Sequence, residues 1–371
     1  MKFIILGSEI DNLVNAYFLA KSGHQITIIE NKNRKECVAH DSLSFQFDPI
    51  LTNDIVEKDL KSKITNLFHK NKFNQKITEL ILKNKSALIE FLENEKITLK
   101  NKSFGLLHLY KNNPQNKIRD IKKKSGWQSN YKIFSQEELI SLGLALDYEK
   151  QIISGAILSQ NDFTIDRQSF IDDLKKICQV KYKVKFEKNL EIKNILTNCK
   201  KITGIHTDKK VFVADYYIIN IDDHNLELLK SINIKIVPNF KYKIKIFTDI
   251  ENIKNPPPKH NLINHSDQIT YHINKDYYKI EIPINKKIYT KIKSTLNWEY
   301  LNKINHASLL EVKDYKNIKY YLEKEQYFKN GVPLSAVSKK YSNLFLNGGY
   351  GNVDFNLSFS MSDLIPSKLP N

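Results

Sequence analysis

M-K-F-I-I-L-G-S-E-I-D-N-L-V-N-A-Y-F-L-A-K-S-G-H-Q-I-T-I-I-E-N, residues 1–31, decides the fold. Lys2 to Leu6 is a short apolar run that ends at Gly7. Leu13, Ala16, Tyr17 and Ala20 then recur at i, i+3, i+4 and i+7, one face of a helix. Gly23 stops that helix in the manner of a glycine just past a helix end. His24 to Ile29 reads as a second strand, with Glu30 at its tip. A β-α-β unit with a carboxylate about twenty residues beyond its turn has the layout of a dinucleotide-binding unit. The turn itself departs from G-x-G-x-x-G: it reads Gly7-Ser8-Glu9-Ile10-Asp11-Asn12. Gly7 keeps the tight turn. Glu9 stands where a bare backbone would approach a diphosphate, and Asn12 where helix and strand would pack closely. Like charges about 4 Å apart repel by roughly 4 kcal/mol at an effective dielectric of about 20. Glu9 is therefore an obstacle to an anionic ligand at this turn, unless its carboxylate turns away into solvent.

The bulk composition narrows the class. A chain of 371 residues with 41% hydrophobic residues can bury a substantial core, as two domains or one large one. No apolar run approaches the length of a spanning helix. The opening run is too short for a signal peptide and leads straight into the β-α-β unit, so a cytoplasmic protein is expected. Cys37, Cys178 and Cys199 are widely spaced and odd in number, with no C-x-x-C or Cys/His cluster. They suit a reducing compartment and imply no metal site. The net charge is +17, yet only Arg34, Arg119 and Arg167 are arginine. Abundant Lys, Asn and Ile beside sparse Arg and Gly has the look of compositional drift in an AT-rich genome. Base readout leans on bidentate arginine, and no helix-turn-helix, zinc-finger or RNP-like pattern is present, so nucleic acid is not an expected partner. An anionic membrane surface, at about 1 kcal/mol per nearby lysine, is the partner this charge leaves open.

Farther along, Glu57 to Glu95 carries apolar residues at helical spacing, and Ile97 to Tyr110 is strand-like, with His108 inside it. His108 reads as a core histidine. Ser135-Gln-Glu-Glu138 is a capping box. Ile152 to Leu158 is a further strand, and Arg167 to Ile177 a helix with Phe170, Leu174 and Ile177 on one face. Val180 to Phe186, Leu190 to Ile195, Ile202 to Thr207 and Val211 to Val213 form a block of short strands. Tyr216 to Ile221 is a buried strand ending at Asp222-Asp223-His224, whose aspartates cap the segment that follows. Ile234 to Thr248 and Tyr271 to Pro283 read as strands of a second, antiparallel sheet, separated by the stiff Pro256-Pro257-Pro258 turn. Near the end, strand Leu344 to Leu346 leads into Asn347-Gly348-Gly349-Tyr350-Gly351, the one glycine-rich loop, and then a short helix from Phe355 to Leu364. Three of the 11 glycines fall in those five residues, which marks either a tight turn or a backbone that approaches something closely.

Together these residues resemble the flavin amine oxidoreductases of the D-amino acid dehydrogenase, glycine oxidase and sarcosine oxidase group. K-F-I-I-L-G-S followed by A-Y-F-L-A-K-S-G-H-Q-I-T-I-I-E is similar to that family's opening FAD unit. N-D-F-T-I-D before the helix at Arg167, Asn330-Gly331-Val332-Pro333, and L-F-L-N-G-G-Y-G at 344–351 resemble further family stretches in the same order. The resemblance implies an α/β architecture: a Rossmann-like FAD domain with a parallel sheet, from residues 1–95, 159–230 and 331–371, and an antiparallel-sheet substrate domain, from 96–158 and 231–330. It implies FAD as cofactor, with Gly7 and Ser8 at the pyrophosphate, Glu30 on the adenosine ribose, and Gly348, Gly349 and Gly351 beside the isoalloxazine. It also implies hydride transfer from the α-carbon of a small-molecule amine or amino acid, with Tyr242 on the substrate sheet and a membrane quinone as a conceivable acceptor at the inner face of the membrane. No catalytic acid or base is implied. The departures favour an alternative, a family member that has lost FAD and catalysis and serves as a binding or scaffold subunit. They are Glu9 and Asn12, Val38-Ala39-His40-Asp41-Ser42 after the second strand, Asp222-Asp223 where the family has a glycine, and Glu323-Lys324-Glu325-Gln326 where the family clamps a carboxylate with arginine. Glu325, at or near the arginine position, is expected to repel a carboxylate.

Overall fold

The computed structural model describes residues 1–32, 42–45, 67–100, 102–111, 114–115, 131–141, 153–253, 260–265, 267–273, 277–294, 313–314, 317–328, 333–349, 354–362 and 365, with the backbone alone at 42–45, 67–78, 223 and 354–355. The chain opens with β1 (Lys2–Leu6), α1 (Ile10–Lys21), β2 (Gln25–Asn31), β3 (Ser42–Phe45) and α2 (Leu67–Asn94). It continues through β4 (Ser103–Tyr110), β5 (Tyr131–Ser135), α3 (Gln136–Ser141), β6 (Gly155–Asp166) and α4 (Arg167–Lys176). Then come β7 (Lys185–Leu190), β8 (Ile192–Asn198), β9 (Lys201–Thr207), β10 (Val211–Phe212), β11 (Tyr216–Ile221) and α5 (Asp223–Ser231). The rest is β12 (Asn239–Asp249), β13 (Asn261–Asn264), β14 (Ile269–Ile273), β15 (Tyr277–Ile284), α6 (Lys286–Ser294), β16 (Ile318–Tyr327), β17 (Leu334–Val337), β18 (Leu344–Gly348) and α7 (Asp354–Ser362).

The first sheet runs β17-β18-β11-β1-β2-β7. The five strands from β18 to β7 are parallel, and β17 alone is antiparallel. Parallel sheets are covered on both faces, and the alternation along β1 shows how. Phe3 and Ile5 pack with Leu13 and Tyr17 of α1, Phe91 of α2, Leu174 of α4 and Phe359 of α7. Ile4 and Leu6 point the other way, to a cluster with Ile195, Ile205 and Phe212 of the small sheet β10-β9-β8 and Leu229 of α5. The chain steps outward from β1 to β2 and β7 on one side, and to β11 and β18 on the other. The order reverses between β1 and β11, and open α/β sheets bind their ligands outside the carboxyl ends of the strands at such a reversal.

The large sheet runs β16-β12-β15-β14-β13-β4-β6-β3, with β5 also on β6, and is antiparallel except at β13–β4. One face is apolar: Ile244 and Ile246, Tyr278 and Ile280, Tyr271, Leu262, Leu107 and Leu109 form one core with Leu139 of α3 and Ile292 of α6. The sequence expectation of a parallel cofactor-type sheet plus an antiparallel one holds. β3 and all of β6 lie in the large sheet, so the chain crosses the expected 158/159 boundary inside a strand.

Several elements differ in extent. Val180 to Phe186 does not open as a strand: α4 runs on through a π-helical turn, Ile177–Lys181, which buries Cys178 and lets the Tyr182 hydroxyl donate to Glu95 at 2.7 Å. β12 starts at Asn239, not Ile234, because Pro238 has no N–H for the ladder. The segment N-D-F-T-I-D is strand, the far half of β6, and Tyr271 to Pro283 is two paired strands, β14 and β15. The capping box forms as read, with Ser135 N donating to Glu138 at 2.7 Å. Pro256 to Pro258, Arg34, Cys37 and Gly351 lie outside the described residues.

Candidate active site

The turn after β1 is held from two sides. Gly7 has φ +97, a left-handed backbone that favours glycine, and its N–H donates to Ile29 O at 2.9 Å. Asn12 is fully buried, and its amide donates to Leu6 O at 2.9 Å and Gly7 O at 3.3 Å. The side chain that replaces the third fingerprint glycine thus ties α1 to the end of β1 by hydrogen bonds where a glycine would let them touch. Glu9 is the residue before the first turn of α1, in extended backbone, and its side chain caps none of the helix amides. Those amides keep the positive end of the helix dipole beside the turn. Glu9 adds a carboxylate to the residue at which the helix begins.

Glu30 sits at the tip of β2, partly exposed. Burial pushes its carboxyl up, but the Ser8 hydroxyl donating to it and the Lys175 and Lys188 charges more than offset that, and the net shift is downward. Lys175 Nζ of α4 lies 3.1 Å from Glu30 Oε1. Glu30 is therefore an ionised acceptor at the tip of β2, with part of its capacity already taken by Ser8 and Lys175.

The glycine loop adjoins this turn. Asn347, the second-last residue of β18, donates from its amide to Asp11 Oδ2 at 2.9 Å, with both side chains buried. Gly348 and Gly349 have φ +143 and +77. A Cβ at Gly348 would stand 2.8 Å from Asn220 Oδ1, and a Cβ at Gly349 would overlap the Phe328 ring. The close approach expected of this loop is thus made, on these sides, to the protein's own Asn220 and Phe328. Beyond β11, Asp222 accepts from Asn225 N at 2.8 Å and caps α5, as the sequence suggested. Leu6, Gly7, Ile29, Asn31 and Asp222 line a small crevice at the reversal between β1 and β11.

The second half of the site is the other face of the large sheet. Directly paired residues share a face. Lys245 pairs with Glu281, Glu281 with Thr270, Thr270 with Ile263, and Ile263 with His108. On this face Lys279, His108 and Asp162 are buried, as are Lys245 and His272. Lys243 Nζ lies 2.8 Å from Glu325 Oε1 and 3.5 Å from Glu281 Oε2. Lys245 reaches Glu323 at 3.0 Å, Lys279 reaches Glu281 at 2.6 Å, and His272 stands 3.6 Å from Glu281. Burial alone would lower Lys243, but Glu325, Glu281 and Glu323 outweigh it and hold the ammonium charged. Burial pushes Glu325 up to about 7, with Glu323 and Glu281 adding and Lys243 opposing. Glu325 is thus one of three carboxylates grouped on this face, with Lys243 as its ion-pair partner. His108 is a buried core histidine, as read: its Nδ1 lies 2.8 Å from His265 Nε2, and its Nε2 stands 3.8 Å from Asp162 Oδ2 without a hydrogen bond. Tyr242 lies on the opposite, helix-covered face, its ring centroid 4.7 Å from that of Tyr289 of α6. Among the described residues no group of three or more His, Cys, Asp or Glu is placed to hold a metal, and no helix is long and apolar enough to cross a membrane.

No protein-family model matches the chain. By sequence it is similar to a D-amino acid dehydrogenase of Allorhizobium ampelinum, 23% identical over 269 residues. That match covers 64% of each protein, so it spans less than two-thirds of the relative's length. By structure it is similar to an iminodiacetate oxidase from a Chelativorans species, with a TM-score of 0.70 and 12% identity over 98% of this chain and 94% of that one. It is also similar to the L-alpha-glycerophosphate oxidase of Mycoplasma pneumoniae, solved with FAD bound, with a TM-score of 0.68 and 14% identity over 99% and 94%. The fold is that of the amino acid and amine oxidoreductases. The resemblance read from the sequence is borne out. In their chemistry, the Glu30 acceptor suits the hydroxyls of a dinucleotide and the glycine loop anchored on Asp11 leaves backbone amides unscreened by side chains, whereas the Glu9 carboxylate does not suit a diphosphate.

The charged face escaped the sequence reading, although a signal was there. Lys241-x-Lys243-x-Lys245 and Glu323-x-Glu325 alternate with period two, with complementary sign. Solvated strand faces also carry alternating charges, so the pattern alone did not separate an enclosed face from an exposed one. Asp11 and Asn347 lie in the quoted turn and loop, but neither stretch names the other as its partner, and Lys175 carries no local motif.

Proposed function

We propose that this chain is an FAD-dependent oxidoreductase acting on the C–N bond of a small amine or amino acid. The observation that carries the reading is the Asp11–Asn347 hydrogen bond, which joins the start of α1 to the glycine loop across 336 residues of sequence. When bound, FAD supplies the hydride acceptor, and the substrate leaves as an imine for hydrolysis by water. On this reading residues 1–95, 159–230 and 331–371 carry the cofactor and residues 96–158 and 231–330 cover it. Gly7, Ser8 and the first-turn amides of α1 face the pyrophosphate. Glu30 accepts from the ribose hydroxyls. Gly348, Gly349 and Gly351 border the isoalloxazine. The enclosed charged face of the large sheet closes over the substrate and excludes water, and Tyr242 contributes from behind it as packing. The lysine surplus suits docking at an anionic membrane and passing electrons to a quinone there, a step that salt-sensitive vesicle binding tests.

The visible absorbance of the purified protein, before and after adding FAD, is the deciding measurement. Absence of a flavin spectrum together with no uptake of FAD overturns the proposal. A second reading, a protein of this fold that has given up FAD, is favoured by one specific contact, the Phe328 ring against Gly349. Stoichiometric FAD in the purified protein excludes it.

A further inference from the structure

Glu325 raises a question that the proposed reaction leaves open. Its Oε1 accepts from Lys243 at 2.8 Å. Its Oε2 is sealed from solvent and has no hydrogen-bond partner among the described residues. A buried acceptor without a donor is costly, and such groups are few in native proteins. The neighbouring cations do not supply the donor. Lys245 and Lys279 are bonded to Glu323 and Glu281. Lys241, opposite Glu325 in the register, holds its ammonium 5.4 Å from the centre of the Tyr327 ring. Glu325 also lies close to the proposed cofactor loop. Phe328, whose ring abuts Gly349, is three residues on, a span of about 10 Å in extended chain.

We propose that Glu325 is the residue that selects the substrate, its Oε2 accepting N–H bonds from a cationic amine that carries no carboxylate at that end. The unmet demand on this enclosed face is for a donor. A carboxylate at the same place would meet the Glu325 carboxylate directly, while Lys243, Lys245 and Lys279 already hold carboxylates of their own at 2.8, 3.0 and 2.6 Å. An ammonium group satisfies Oε2 and adds the positive charge that a buried carboxylate attracts. The inference rests on reading this face as the substrate side of the fold, and it narrows the substrate class from amino acids toward simple amines and diamines.

Calorimetric titration of the full chain with putrescine, glycine and D-alanine tests it, with the flavin spectrum recorded on the same samples. Putrescine is expected to bind, and the two amino acids to bind at least tenfold more weakly. Glu325→Gln is expected to weaken putrescine roughly tenfold to a hundredfold, the worth of a hydrogen bond to a charged group. Because that variant leaves Lys243 without its closest carboxylate, the paired Lys243→Met, Glu325→Gln variant removes both charges and serves as the folded control, with the same loss expected. Glu187→Gln, on the far edge of the parallel sheet, should bind as the wild type does. No binding of putrescine, equal binding by Glu325→Gln, or a preference for glycine or D-alanine overturns the proposal. Putrescine binding without flavin keeps the amine site and removes the oxidoreductase reading. Flavin without putrescine binding does the reverse.

Discussion

Gly349→Ala, made with and without Phe328→Ala, asks what the glycine loop approaches. An L-residue held at φ +77 costs roughly 1–2 kcal/mol. The new methyl group would also overlap the Phe328 ring, and overpacking of that kind costs about 1–3 kcal/mol. The single variant should therefore lose about 2–5 kcal/mol. With the ring already truncated, only the backbone cost of roughly 1–2 kcal/mol remains. The coupling between the two sites is thus about 1–3 kcal/mol, well above the roughly 0.5 kcal/mol within which independent sites add. Urea denaturation of the four proteins at one pH gives all the terms of the cycle. A coupling under about 0.5 kcal/mol would refute the claim that Gly349 is glycine to make room for Phe328. The same variants bear on the cofactor. Phe328→Ala leaves a ring-sized space beside the loop, and FAD affinity should rise in it if the phenyl ring stands where an isoalloxazine would lie.

Further outcomes follow from the same geometry. Glu9→Gly removes a carboxylate facing the diphosphate position, and at about 4 Å and an effective dielectric of about 20 its repulsion is roughly 4 kcal/mol, so FAD affinity measured by flavin fluorescence should rise by up to about a thousandfold. An unchanged affinity would mean that Glu9 already points away. Glu325 is raised from its ordinary 4.5 to about 7, so the folded chain keeps a proton that the unfolded chain has released. Its contribution to stability is full below about 4.5 and is lost as pH rises through about 7, against a setting of Lys243, Lys241, Glu323 and Glu281. Urea midpoints of Glu325→Gln should fall less across that window than those of the wild type, and identical slopes count against the assignment. Glu30 is held below its ordinary value, so its contribution is present above that value and fades as pH drops through the depressed one. Lys175→Met should shrink that acid loss and cost under about 1 kcal/mol at neutral pH, since the pair is partly exposed.

How much of this was legible depended on the range of the signal. The β1–α1–β2 unit was readable because its periodicity, its stop at Gly23 and its acidic tip are all local, and Asp222 as a cap was readable for the same reason. β7 was misplaced because the turn at Ile177–Lys181 answers to distant partners, Leu13 for the buried Cys178 and Glu95 for the Tyr182 hydroxyl. The start of β12 was misjudged although Pro238 was visible, since an apolar run was given more weight than a missing N–H. The glycine loop announced a close approach and could not say to what: Asn220 and Phe328 are 128 and 21 residues away from Gly348 and Gly349 in sequence. Glu325 illustrates the same limit. Its position relative to the family pattern was readable, but its partner Lys243 comes from 82 residues earlier and depends on strand register.

The Asp11–Asn347 hydrogen bond also orders events in time. As a nascent chain leaves the ribosome, β1 can pair with β2 at once, but its other edge stays open until Tyr216 to Ile221 arrives, and β11 in turn waits for β18. The unit made first is thus the last to be completed. Such non-local pairing is slow to form and exposes strand edges meanwhile. Translation that stops short of Leu344 would leave β11 with a bare edge and Asp11 without the Asn347 amide. A copy truncated there would therefore present, along β11, the unpaired strand edge that β18 covers in the folded chain.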